Sequence, residues 1–84
     1  MIDSIPVGTP FGILPVSVRR GAQLVEAVRS VRDRMAELVN DGAWDDVVNF
    51  GRGCNYPVGD RDDMDSELLI THLCWAYAIS ETNA

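Results

Sequence analysis

The chain has 84 residues, 46% of them hydrophobic and 24% charged, and a net charge of −6, with seven Arg set against 13 Asp and Glu and no Lys at all. That length is one domain with a thin core, burying about 60–65% of the surface its unfolded form exposes, and that apolar content excludes a disordered chain. The sign of the charge argues against direct nucleic-acid binding, which needs a Lys/Arg surface to displace counterions from phosphate; a protein partner with a basic surface fits it better.

Two cysteines, Cys54 and Cys74, make no disulfide framework. The opening MIDSIPVGTPFG lacks the basic and apolar segments of a secretory signal. The longest apolar run, LCWAYAI, is far short of the ~20 residues that cross a bilayer, so no membrane association is expected. The expected compartment is the reducing cytoplasm, with both thiols free. Absence of Lys beside abundant Ala, Val, Arg and Asp points to a GC-rich coding sequence, and so to a high-GC bacterium or its phage or plasmid.

Taken in chain order, residues 1–16 contain Pro6, Pro10 and Pro15. Proline removes a backbone donor and restricts the residue before it, so a helix is not expected here. The segment reads as an extended, Pro-rich arm or short edge strand anchored by Phe11, Ile13, Leu14 and Val16. Ser17 then suits the N-cap of a long amphipathic helix over 17–41. At ~100° per residue, Leu24, Val25, Val28, Val31, Met35, Leu38 and Val39 fall on one face. Glu26, Ser30, Asp33 and Glu37 lie opposite. Asn40-Asp41-Gly42 is the stop, with Gly42 supplying the left-handed residue after the cap.

A short helix is expected over 43–50, with Trp44, Val47 and Val48 on one face and Asp45 and Asp46 in the first turn, where the helix dipole favours negative charge. Gly51 is read as its breaker, and 51–62 as a loop punctuated by Gly51, Gly53, Pro57 and Gly59. A last, apolar helix is expected over 63–80. Leu68, His72, Trp75, Ala76 and Ile79 form its main apolar side, extended by Leu69, Leu73 and Tyr77. Glu67, Thr71, Cys74, Ala78 and Glu81 form its narrow polar strip. A helix apolar over most of its circumference belongs at the centre of a core or against a partner. The fold class is therefore mainly α: a small three-helix domain with an extended N-terminal arm.

The densest chemical signal is GDRDDMDSELL, residues 59–69, where Asp60, Asp62, Asp63, Asp65 and Glu67 crowd together. An EF-hand wants Gly at position 6 and Glu at position 12 of its loop. Counted from Asp60 those positions hold Asp65 and Thr71, and counted from Asp62 position 12 is Leu73, so no metal site is expected. Asp63 suits the cap of the last helix, with Asp65 and Glu67 near its positive end. Capping needs one or two acids, and the surplus would form a negative patch able to dock an Arg/Lys-rich surface.

Other candidates are sparse. His72 is the only histidine and falls on the apolar side, where it reads as a core residue with one hydrogen bond. Cys74 projects about 200° away around the same helix, so the two make neither a nucleophile–base pair nor a shared metal site. The glycines of GRGCNYPVG match no phosphate loop, and no cofactor is implied. Arg32 falls inside the apolar face of the long helix. Its stem either packs while the guanidinium reaches water, or it pairs with a carboxylate such as Asp45 or Asp46 or one on a partner. Arg19 and Arg20 sit at a helix start, where the dipole disfavours cations. Tyr56 is either an exposed recognition residue or a loop anchor.

The function expected from these features is a small acidic protein–protein interaction module, an inhibitor or adaptor that docks a basic target, a nucleic-acid-binding protein being one example; a phage-type anti-defence protein is one concrete version. Tyr56, Asp60, Asp62, Asp63, Asp65, Glu67 and Arg32 are the expected contact residues. The alternative is a structural homodimer or an accessory subunit in which the last helix is buried by its neighbour. An enzyme is not expected, since it would need a site built from Cys54, His72 and an acid.

Overall fold

The computed structural model describes residues 4–58 and 65–82. Two strands, β1 (Ser4–Thr9) and β2 (Gly12–Ser17), precede three helices, α1 (Val18–Asn40), α2 (Trp44–Gly53) and α3 (Ser66–Thr82). The three helices of the sequence reading are present. The extended arm is not: residues 4–17 fold back on themselves as an antiparallel hairpin, paired from Ser4 with Ser17 to Thr9 with Gly12. Pro6 faces Pro15 in that register. An antiparallel ladder alternates hydrogen-bonded rungs with rungs that exchange no bonds. Two residues without an N–H can face each other only on a rung of the second kind, and there they cost the ladder nothing. At the turn, the Thr9 hydroxyl donates to the Gly12 carbonyl at 2.7 Å and accepts from the Phe11 N–H at 3.1 Å. Gly12 takes a φ of 121°, which a side chain would resist.

Alternation along the strands gives the hairpin two unlike faces. Ile5, Val7, Leu14 and Val16 face the helices, and Val16 is buried in a cluster with Leu24 and Ala78. Close approach depends on Gly21, where a Cβ would lie 3.1 Å from Ile5 Cδ1 and 3.6 Å from both Val7 and Val16. The outer face carries Pro6, Ile13 and Pro15. Ile13, expected as an anchor, is 74% exposed, because the pleat turns it away from its neighbour Leu14.

Ser17 caps α1: its Oγ accepts from the Arg20 N–H at 3.1 Å. Leu24, Val31 and Met35 are buried and Val28, Leu38 and Val39 half-buried, whereas Val25 lies mostly outside the packed face. Gly42, at φ 71°, ends the helix in a Schellman arrangement, with Ala43 N–H on the Leu38 carbonyl at 3.0 Å and Gly42 N–H on Val39 at 3.2 Å. The same device ends α2. Asn55, at φ 59°, is the left-handed residue, and the Tyr56 N–H reaches the Gly51 carbonyl at 2.8 Å. Gly51 therefore does not break α2, as the sequence suggests; it is buried inside it.

Helix α3, Ser66–Thr82, is the centre of the fold; the expected start at 63 lies outside the described residues. Leu69, Ile70, Leu73 and Cys74 join Val31, Met35, Val47 and Val58 in the main core. The rotation about its axis differs from the expected one. Cys74 and Ala78, assigned to the polar strip, are fully buried, and Leu68, assigned to the apolar side, is 47% exposed. A helix that is apolar nearly all round gives no directional signal of its own, so its neighbours set its orientation. Arg20 Nε donates to Thr82 Oγ1 at 3.4 Å at one end of the pair, and Arg32 Nη2 to Glu67 Oε2 at 3.4 Å at the other. Those two contacts make α1 and α3 antiparallel neighbours.

Candidate functional site

Among the expected contact residues, Asp60, Asp62 and Asp63 lie outside the described residues. Asp65 is the cap that the sequence reading gave to Asp63: its Oδ1 accepts from the Glu67 N–H at 3.1 Å and its carbonyl from the Leu69 N–H at 2.9 Å. Glu67 takes the guanidinium of Arg32, which meets neither Asp45 nor Asp46 but reaches across to α3. Both side chains are about half exposed or more, at 49% and 75%, so the pair contributes little stability, roughly 0–1 kcal/mol. Arg20 breaks the dipole rule at the start of α1 and satisfies it at the end of α3, where the carbonyl dipoles are negative.

The C-terminus of α1 and the N-terminus of α2 meet at a corner, and the first turn of α3 lies beside Arg32, about two turns before the end of α1. Residues 35–51 include Glu37, Asp41, Asp45 and Asp46 and no Arg, Lys or His. All four are exposed, as are Asp65 and Glu67, and Trp44 stands among them with 36% of its surface open. At the opposite end, residues 4–25 hold Arg19 and Arg20 and no carboxylate. Exposed acids thus collect at the α1–α2 corner, where Arg34 lines a cleft with Asp46, and Glu81 stands at the opposite end near Arg20.

Tyr56 is a loop anchor rather than an open recognition residue. It is half-buried, and its hydroxyl lies 3.2 Å from His72 Nδ1. Phe11, at the tip of the hairpin, stacks on the His72 ring at a centroid distance of 5.2 Å and leans on Tyr56 at 5.8 Å. These three rings fasten the hairpin tip to α3. The sequence places His72 on the apolar side but carries no local sign of Phe11 as its neighbour, because that contact exists only once residues 4–17 have folded back.

Beside the rings lies an open cleft of about 340 Å³, bounded by Phe11, Tyr56, Ala76, Ile79 and the Cys54–Asn55 turn. The Cys54 thiol is buried and donates to the carbonyls of Phe50 and Gly51 at 3.4 and 3.5 Å. Burial pushes it above the ordinary thiol value of about 9, against a smaller opposing effect of backbone hydrogen bonds. Burial raises Cys74 too, with Arg32 partly opposing. A reactive cysteine needs the reverse shift, because the thiolate is the nucleophile. Among the described residues no hydrogen bond links Cys54 to His72, and no three His, Cys, Asp or Glu side chains stand close enough to hold a metal ion.

The thiols set an alkaline limit on the fold. Below about pH 9 they are protonated in both states and the full contribution of burying them is present. Above it the unfolded chain ionises first while the folded chain holds its protons, so stability falls until the raised folded-state values are passed. Urea midpoints measured at pH 8 and pH 9.5 should show this loss, and a Cys54→Ala, Cys74→Ala variant should show a smaller one. An equal loss in both proteins would remove the thiols as its cause.

Among the described residues no helix is long and apolar enough to cross a membrane. Comparison of the chain with protein-family models, with curated proteins and with solved structures finds no match.

Proposed function

We propose that this chain is a small acidic interaction module that docks a basic protein surface and acts as an inhibitor or adaptor. The observation that carries the reading is the set of exposed carboxylates at the α1–α2 corner, Glu37, Asp41, Asp45 and Asp46, in a chain of net charge −6. A concentrated patch of one sign steers encounter with the opposite sign and disfavours like-charged partners. The expected contact set thereby shifts from residues 54–67 alone toward the α1–α2 corner. A target that itself binds nucleic acid presents such a basic surface, and an anti-defence protein that covers it is the concrete version we favour.

The test is binding of a fluorescent Arg-rich peptide across a salt series. Affinity should fall steeply as salt rises, and an Asp41→Lys, Asp45→Lys, Asp46→Lys variant should lose at least about tenfold. Unchanged affinity in that variant overturns the reading. A second reading, a homodimer or accessory subunit, draws on the apolar outer face of the hairpin, where Ile13 is 74% and the adjoining Val18 62% exposed. Light scattering that returns a monomer at micromolar concentration removes it.

A further inference from the structure

We infer that the groove crossing Cys54 and Ser80 is the anchor site for apolar side chains on a basic segment of the partner, an inference that rests on the acidic-module reading above. Two clefts meet there. The first, about 340 Å³, is walled by Phe11 and Tyr56. The second, about 310 Å³, is walled by Phe50 and Tyr77, whose rings lean together at 5.6 Å. Cys54 and Ser80 belong to both. The two shared residues are small. Gly53 adds to this: a Cβ placed on it would meet nothing within 4 Å. Aromatic walls thus stand on either side of a shallow floor, with room of the size that suits a small ligand or a buried side chain.

The chemistry of the lining chooses the occupant. The Cys54 thiol is already committed to carbonyls of its own helix, so the floor offers an apolar surface rather than a free donor. No Arg, Lys or His lines either cleft. The charged side chain lining the second cleft is Glu81, which helps hold the Tyr77 phenol above its ordinary value, after burial as the larger cause and with Arg34 partly opposing. An apolar side chain flanked by Arg or Lys matches the rings and the Glu81 carboxylate; one flanked by acids meets repulsion from Glu81. Interfaces concentrate their affinity in a few apolar or aromatic residues seated in such pockets, with charge around them. The carboxylates of the α1–α2 corner then govern the rate of encounter, and the groove governs how long the partner stays.

The probes are two labelled octapeptides, each with six Arg around a central pair, Phe-Leu in one and Ser-Ser in the other. The Phe-Leu peptide should bind about tenfold tighter at moderate salt. Ser80→Trp, an exposed position common to both clefts, should bring it down to the level of the Ser-Ser peptide while the protein still melts cooperatively. Leu68→Trp, which adds the same ring elsewhere on α3, should keep the margin. Equal affinity for the two peptides, or a margin that survives Ser80→Trp, overturns the groove. Salt-dependent binding without a margin defeats the groove and leaves the acidic module standing; no binding of either peptide at low salt defeats both.

Discussion

Replacing Gly51 with Ala lowers the stability of the fold by about 2–4 kcal/mol, although the same change in an ordinary helix interior raises it by up to about 1 kcal/mol. The reversal comes from the chain segment that follows α2. A Cβ on Gly51 would lie 2.5 Å from the Tyr56 carbonyl oxygen and 2.7 Å from Val58 Cγ2. The first of these is backbone, held by the Schellman turn, and Val58 is itself almost fully buried at 1% exposure. Neither neighbour gives way cheaply, so the return of the chain over α2 must shift, and with it the Tyr56–His72 contact. Gly53→Ala is the control. It lies in the same helix with nothing near the added carbon, and it should be neutral or gain up to about 1 kcal/mol. Urea unfolding of the two variants beside the parent checks both, and a Gly51→Ala protein as stable as Gly53→Ala would remove the steric account.

Leu73→Ala should cost about 3 kcal/mol, and Leu68→Ala less than about 1 kcal/mol. Leu73 is fully buried, whereas Leu68 is 47% exposed. The pair reads out the rotation of α3 directly, since the sequence pattern gives Leu68 the main apolar side and only extends that side to Leu73. A domain of this length has a total stability of about 4–13 kcal/mol. Loss of the Leu73 side chain therefore removes between about a quarter and three quarters of that stability. Thermal and urea denaturation decide the matter; comparable losses from the two substitutions would mean that α3 faces the other way.

The reasons the sequence discloses some of this fold and hides the rest are specific. Ser17 and Gly42 are legible because caps act locally: a hydroxyl three residues from its N–H, and a left-handed residue that glycine adopts without strain. The face of α1 is legible because its polar and apolar residues alternate at helical spacing. The orientation of α3 is not, because its circumference is almost uniformly apolar. Gly51 misleads for a related reason. Glycine marks both chain breaks and close approaches, and only the path of Tyr56 and Val58 tells which applies. The prolines exclude a helix and fit an extended arm or an edge strand, and nothing local shows that residues 4–9 and 12–17 pair with each other. In the candidate site, Asp65 and Glu67 are visible as acids near a helix start. Their division of labour, one capping and one meeting Arg32, depends on how α1 and α3 lie together.

The facing prolines of the hairpin have a wider effect on the company this protein keeps. A ribbon of two strands has no interior strand, so both flanks lie open to any stray extended segment in search of hydrogen bonds. On the rung where Pro6 meets Pro15, backbone groups point away from each other and toward those flanks. Each flank therefore lacks a donor at its midpoint, and an incoming strand that tried to zip alongside would find a gap halfway. Growth of the ribbon into a longer sheet is thereby disfavoured at its middle.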